Sequence, residues 1–232
     1  MILRRVIEHV KAQNWTAVAL DFVIVVLGVF IGIQVANWND ASRDREREAV
    51  VLSQLKSEFQ TAIEKTREEK ALNADALAAT LEVLRVIRDG AQPQDKASFL
   101  RTVRTSGIFG SAPIEPATLT EILSTGGLSE LSSPSLITAL IKYHEAMVAH
   151  EKLTDLLLQR VSTPHDGFHA VFYVNPDVLS DGTLFSDYDW GRIGDVREQE
   201  QIFFYAKNII AQQLEELIEL GDSVLAEIEK EQ

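Results

Sequence analysis

Residues 16–36 read TAVALDFVIVVLGVFIGIQVA, an apolar run interrupted only by Asp21, Gln34 and the glycines Gly28 and Gly32. A run of this length and composition is what the hydrocarbon core of a bilayer asks of a single helix. Trp15 and Trp38 flank it 23 positions apart, and at the helical rise that is roughly 34 Å, a hydrocarbon core with both interfaces touched. A cleaved leader is the rival reading. Leaders carry a shorter apolar region, about 7–15 residues, that ends at a small-x-small site. Here Gln34 stands two before Ala36, where a small residue is wanted. The sequence therefore predicts an uncleaved transmembrane helix over residues 15–38.

Charge sets its direction. Arg4, Arg5 and Lys11 against Glu8 leave residues 1–14 basic, whereas the residues after 37 hold 19 basic and 33 acidic side chains. The positive-inside rule then places residues 1–14 in the cytoplasm. Ile2, Leu3, Val6, Ile7 and Val10 recur there at helical spacing, as in a basic amphipathic segment lying among inner headgroups. Just past the span, Arg43, Arg45 and Arg47 alternate with Asp44, Glu46 and Glu48, a pattern suited to ion pairs three apart on a helix surface.

The whole chain of 232 residues has a net charge of −13, which argues against nucleic acid as a partner, since such binders carry a basic footprint. With no cysteine, disulfides, thiolate nucleophiles, iron–sulfur clusters and Cys-ligated zinc are excluded.

Residues 39–232 read as one helical domain. From Ser42 to Asp89 there is neither proline nor glycine. Leu52, Leu55, Phe59, Ala62 and Ile63, then Leu77, Leu81, Leu84 and Ile87, follow three-four spacing and predict a long amphipathic helix of coiled-coil character, whose apolar seam lapses between Thr66 and Asn73. Gly90 and Pro93 end it. A shorter helix follows at 96–105, then a Gly/Pro-rich loop at 106–116. Thr118 and Glu121 have capping-box spacing for a short helix closed by Gly126-Gly127. Ser133-Pro134 opens a helix to about Val161. Residues 162–194 read as an irregular excursion hiding a short strand near 170–174. Asp195 with Glu198 predicts the start of a last long helix, with Ile202, Ala206, Ile209, Gln213, Leu217, Leu220, Val224 and Ile228 as its stripe. The fold class is all-α: a membrane helix followed by an antiparallel helical bundle with long first and last helices.

The stretch DFVIVVLGVFIGIQVANWND and the later TLTEILSTGGLSELSSPSLITALIKYHE resemble a bacterial family of single-pass membrane proteins of unknown function. In that family an acidic residue opens the span, and the span exits through a Gln and an Asn-Trp-Asn signature. A small-residue turn follows between two downstream helices. Gln34, Asn37, Trp38 and Asn39 match the signature, and Gly127-Leu128 approximates the turn. The resemblance implies a helical fold and an inner-membrane location, with the C-terminal domain periplasmic. It carries no catalytic residues.

Within the span, Gly28, Gly32 and Ala36 make a small-xxx-small ridge on which a second helix can approach closely. Asp21 lies seven residues before Gly28 and so falls on the same face. An ionisable group inside a span is a functional candidate by default, but Asp21 is near the cytoplasmic edge, where it can reach water. Its layout is similar to that of ion-driven stator proteins of the flagellar-motor and Ton/Tol type, which makes a titrating Asp21 one alternative. Trp15, Gln34, Asn37, Trp38 and Asn39 read as an interfacial anchor.

His165 and His169, with Asp166, have the spacing of a helical metal pair, but Pro164 and Gly167 oppose a helix there. Asp187, Asp189, Asp195 and Glu198 approach a calcium-loop count in which the required glycine is replaced by Arg192. Phosphate loops, nucleophile elbows and His-Glu zinc motifs are absent from the sequence. The expectation is a membrane-anchored interaction protein without catalysis or cofactor, partnered by the bilayer and by a second copy or another membrane protein. A ligand-sensing domain using the 162–194 excursion is the further alternative.

Overall fold

A computed structural model describes residues 15–110, 113–161, 166–181 and 183–231. The elements are α1 (Trp15–Asp89), α2 (Lys96–Ser106), α3 (Ala117–Thr125), a 3-10 turn (Gly127–Glu130), α4 (Pro134–Val161), α5 (Asp166–Val171), β1 (Phe172–Val174), α6 (Val178–Asp181), β2 (Phe185–Tyr188), a 3-10 segment (Trp190–Val196) and α7 (Arg197–Lys230). The fold is helical, with a long first and a long last helix and one small hairpin. The chain divides into two compact units, one up to Val50 and one from Val51. α1 has no break at Asn39–Ser42, so these polar residues sit inside a continuous helix.

In the first unit the helix is apolar and bare. Every described side chain from Leu20 to Val35 is exposed. After Asp40 it becomes charged, with ion pairs Asp40–Arg43 at 3.9 Å and Asp44–Arg47 at 3.4 Å.

The second unit is held by a seam on α1 that buries Leu52, Leu55, Phe59, Ala62, Thr66, Asn73, Ala76, Thr80, Val83 and Ile87. Their spacing is the alternating three and four of a packed helix seam. The apolar seam lapses between Thr66 and Asn73 as the sequence predicts: its buried positions there are these two polar residues, and residues 67–72 between them are exposed or half-buried. Thr66 Oγ1 donates to the Ala62 carbonyl at 2.8 Å, and Asn73 Nδ2 donates to the Lys207 carbonyl at 2.9 Å. Beyond it the burial falls on Ala76, Thr80 and Val83, leaving Leu77, Leu81 and Leu84 half-buried beside it.

α7 runs antiparallel to α1. Lys56 pairs with Glu229, Arg67 with Asp222 and Lys70 with Glu215, so rising numbers on one helix meet falling numbers on the other. α4 is likewise antiparallel to α7, with Ser135 bonded to Glu227 and His150 to Gln213. These three helices and α3 enclose the main core, in which Phe59 meets Tyr143 edge-on at 4.8 Å among Leu119, Leu136, Leu140 and Leu217. At Gly221 a Cβ would stand 2.8 Å from Ile63 Cγ1, so glycine is what lets α7 sit this close to α1.

A second core takes up described residues of the 162–194 excursion. Phe172 and Phe185 of the hairpin, with Tyr188, Ile193 and Val196, close over Val83 and Ile87 of α1 and Phe99, Leu100 and Val103 of α2. The rings pack at 5.0–5.5 Å, Phe168 on Phe172, Phe172 on Phe185 and Phe99 on Tyr188. The strand expected near 170–174 is β1, paired antiparallel with β2 through Phe172↔Tyr188 and Tyr173↔Asp187.

Two expected caps are corrected. Thr118 and Glu121 form no capping box. α3 begins at Ala117, and Glu58 of α1 supplies the acceptors, Oε2 taking the Thr118 N–H and Oε1 its hydroxyl, both at 2.8 Å. Asp195 does not cap α7. Its carboxylate takes Arg192 at 3.0 Å, and the preceding 3-10 segment is capped by Asp189, which accepts the Gly191 N–H at 2.9 Å. By contrast Gly126 closes α3 in the left-handed region, at φ +77°.

Candidate functional site

α1 carries the helix-association candidates on its backbone. Positions 21, 28 and 32 fall on one face by helical periodicity, Ala36 flanks it, and the unbroken helix brings Asn39 back onto the same face. A Cβ added to Gly28 or Gly32 would meet nothing within 4 Å, so the ridge is open along its length. Gln34, Asn37, Trp38 and Asn39 are exposed, Trp38 by 71%. The side chains of Asp21 and Trp15 and residues 1–14, with the basic amphipathic segment, lie outside the described residues, as do His165 and the side chain of His169.

The acidic residues of the calcium-like count are used separately. Asp187 takes Lys96 at 2.7 Å, which with the Tyr188 N–H holds its carboxyl below the usual range, Asp189 and Asp195 serve the turn before α7, and Glu198 is exposed. Among the described residues no group of three His, Asp or Glu side chains is placed to hold a metal ion.

Inside the second unit the structure brings together charges that the sequence reading passed over. Glu200 and Lys207, seven apart on α7, are both fully buried. Ser106, the last residue of α2, stands between them. Its hydroxyl is 3.0 Å from Glu200 Oε1, and its carbonyl accepts from Lys207 Nζ at 2.7 Å. The ammonium also lies 3.7 Å from the centre of the Phe109 ring and 4.6 Å from that of Phe203, a cation–π cage that partly replaces lost water. Glu200 Oε2 has no hydrogen-bond partner. Burial pushes the Glu200 carboxyl up to about 7, against the Ser106 hydrogen bond and the charge of Lys207, and burial pulls the Lys207 ammonium down to about 7. Nearby, His150 is buried on Gln213 and Thr154, and burial keeps it below its ordinary value. His144, by comparison, is a part-exposed partner of Glu115 at 2.7 Å.

A family model matches residues 21–193 and is described as a family of unknown function, DUF6090. The chain belongs to DUF6090. No curated protein and no solved structure matches it. The DUF6090 span takes in α1 from Asp21, the hairpin and most of the 3-10 segment, and stops before α7. Ser106 is therefore inside the family span while both buried charges lie beyond it. A signal for that pair was present in the sequence, since Glu200 and Lys207 share the spacing of Phe203, Ile210 and Leu214. Reading charges as solvent-facing hid it.

Proposed function

We propose that the chain is a membrane-anchored helical interaction protein without catalysis of its own. The apolar part of α1 spans a bacterial inner membrane, residues 1–14 lie on the cytoplasmic side, and the unit from Val51 works in the periplasm. The face of Asp21, Gly28 and Gly32 meets another helix, either a second copy of the chain or a different membrane protein.

One observation carries this reading. α1 holds a stretch long and apolar enough to cross a membrane, and none of it is buried within the chain. Phe22, Val25, Val29, Phe30, Ile33 and Val35 are each half exposed or more. A continuous apolar surface of this kind is not left facing water, and a lipid environment removes the cost. The glycine ridge adds the reason for association, because helices in lipid gain most from close backbone approach.

The native chain has no cysteine, so single introduced thiols report position cleanly. A thiol at Gln232 should react in intact cells with a membrane-impermeant maleimide, and one at His9 only after lysis, with the protein resisting carbonate extraction. Release by carbonate would overturn the anchor. Gly28→Ile with Gly32→Ile should shift the species seen on gentle detergent sizing to lower mass, and an unchanged mass would remove the ridge from the interface.

A further inference from the structure

Residues 106–110, the end of α2 and the start of the loop after it, lie as a strap against α7. Lys207 Nζ donates to the Ser106 carbonyl at 2.7 Å and sits over the ring of Phe109, which meets Phe203 edge-on at 5.4 Å. Gly110 is so close to α1 that a Cβ there would collide with the Glu69 carboxylate. Phe109 and Gly110 close a small cavity of about 10 Å³ walled by Asn73, His150 and Thr154. The strap is fastened through a single hydroxyl proton. Ser106 Oγ stands 2.8 Å from the Val103 carbonyl and 3.0 Å from Glu200 Oε1, and a hydroxyl donates only once, so it cannot serve both acceptors. An ionised Glu200 would hold at most that one contested bond, because its Oε2 has no hydrogen-bond partner, and a buried carboxylate so poorly supplied is costly. Protonation removes the conflict. The Glu200 O–H then donates to Ser106 Oγ, and the Ser106 hydroxyl donates to Val103.

We propose that Glu200 is a proton-binding latch: taking a proton from water fastens residues 106–110 onto α7, and returning it loosens the strap and opens the cavity beneath. The titratable groups set around the strap are Lys207 on α7, Glu69 on α1 and His150 on α4, and of these Lys207 is the one whose charge acts on Glu200. Burial pushes the Glu200 carboxyl up to about 7, from 4.5 in open chain, so the fastened strap holds the extra proton between those values and opening grows as pH rises through them. Lys207, pulled down to about 7 by burial, changes little over that window and opposes opening only above it. The inference is independent of how α1 meets other helices.

The test uses the full-length protein in nanodiscs and reads amide hydrogen exchange across residues 104–110 by mass spectrometry, corrected for the intrinsic exchange rate. From pH 5 to pH 7 the opening equilibrium of the strap should rise about tenfold or more, while amides in the middle of α4 stay as protected as before. Glu200→Gln, whose amide can donate to Ser106 as the acid does but cannot ionise, should keep the strap fastened and abolish the rise. Lys207→Met should retain it, which separates the carboxyl from the ammonium. The infrared difference spectrum between the two pH values should contain the carbonyl band of a buried protonated carboxyl, missing in Glu200→Gln. Equal opening at both pH values, a rise undiminished in Glu200→Gln or lost in Lys207→Met, or the absence of that band from the native protein would overturn the proposal.

Discussion

At the scale of the residue, Glu200 and Lys207 set the terms, because two charges have been taken out of water with only Ser106 and two aromatic rings in exchange. The unfolded chain ionises Glu200 near its ordinary 4.5 and the folded chain near 7. Between those values the folded chain holds the extra proton, so stability falls as pH rises through them. For Lys207, ordinarily 10.5 and about 7 when folded, the unfolded chain holds the extra proton, so stability rises with pH above 7. The pair thus cuts a trough near neutrality. Replacing both, Glu200→Gln with Lys207→Met, should stabilise the protein by about 1–4 kcal/mol at pH 7, with smaller gains at pH 5 and pH 9.5. Melting curves at the three values check this, and a gain independent of pH would refute the assignment.

At the scale of the element, α3 begins where it does because Glu58 reaches across from α1. Glu58→Ala should cost about 1–2 kcal/mol, read from denaturant midpoints, while Thr118→Ala loses only the hydroxyl half of the contact and less stability. An equal or larger loss in Thr118→Ala would mean that the cap is local after all. This cap also marks what the sequence could not disclose. Leu52, Leu55 and Phe59 declare their seam by spacing and bulk, and Gly126 declares the end of α3, because both are local properties. Glu58 is 60 residues from Thr118, and nothing local singles it out. The later seam misled for a different reason. Leucines at 77, 81 and 84 outweigh Ala76, Thr80 and Val83 in hydrophobicity, yet the register begun at Leu52 carries the smaller residues to the buried side. The predicted α7 stripe holds at Ala206, Leu217, Val224 and Ile228, which are buried, whereas Ile202, Ile209, Gln213 and Leu220 are half-buried beside a core of Phe203, Ile210 and Leu214.

At the scale of the whole molecule, the helical class and the long first and last helices follow from patterning that runs the length of the sequence, and so they were readable. The Asp21, Gly28 and Gly32 face was readable as spacing alone. α7 is 34 residues long and supplies Leu217, Val224 and Ile228 to the main core. A chain ended after Val196 should therefore lose cooperative melting and become readily proteolysed in the unit from Val51, and a sharp transition like that of the intact protein would show α7 to be dispensable. The antiparallel pairing of α1 with α7 also imposes an order in time. During synthesis the ribosome delivers α1 first and α7 last, so the seam from Leu52 to Ile87 stays uncovered until nearly all of the chain has been made. An apolar surface that waits this long for its cover makes the unfinished chain a client for holding factors.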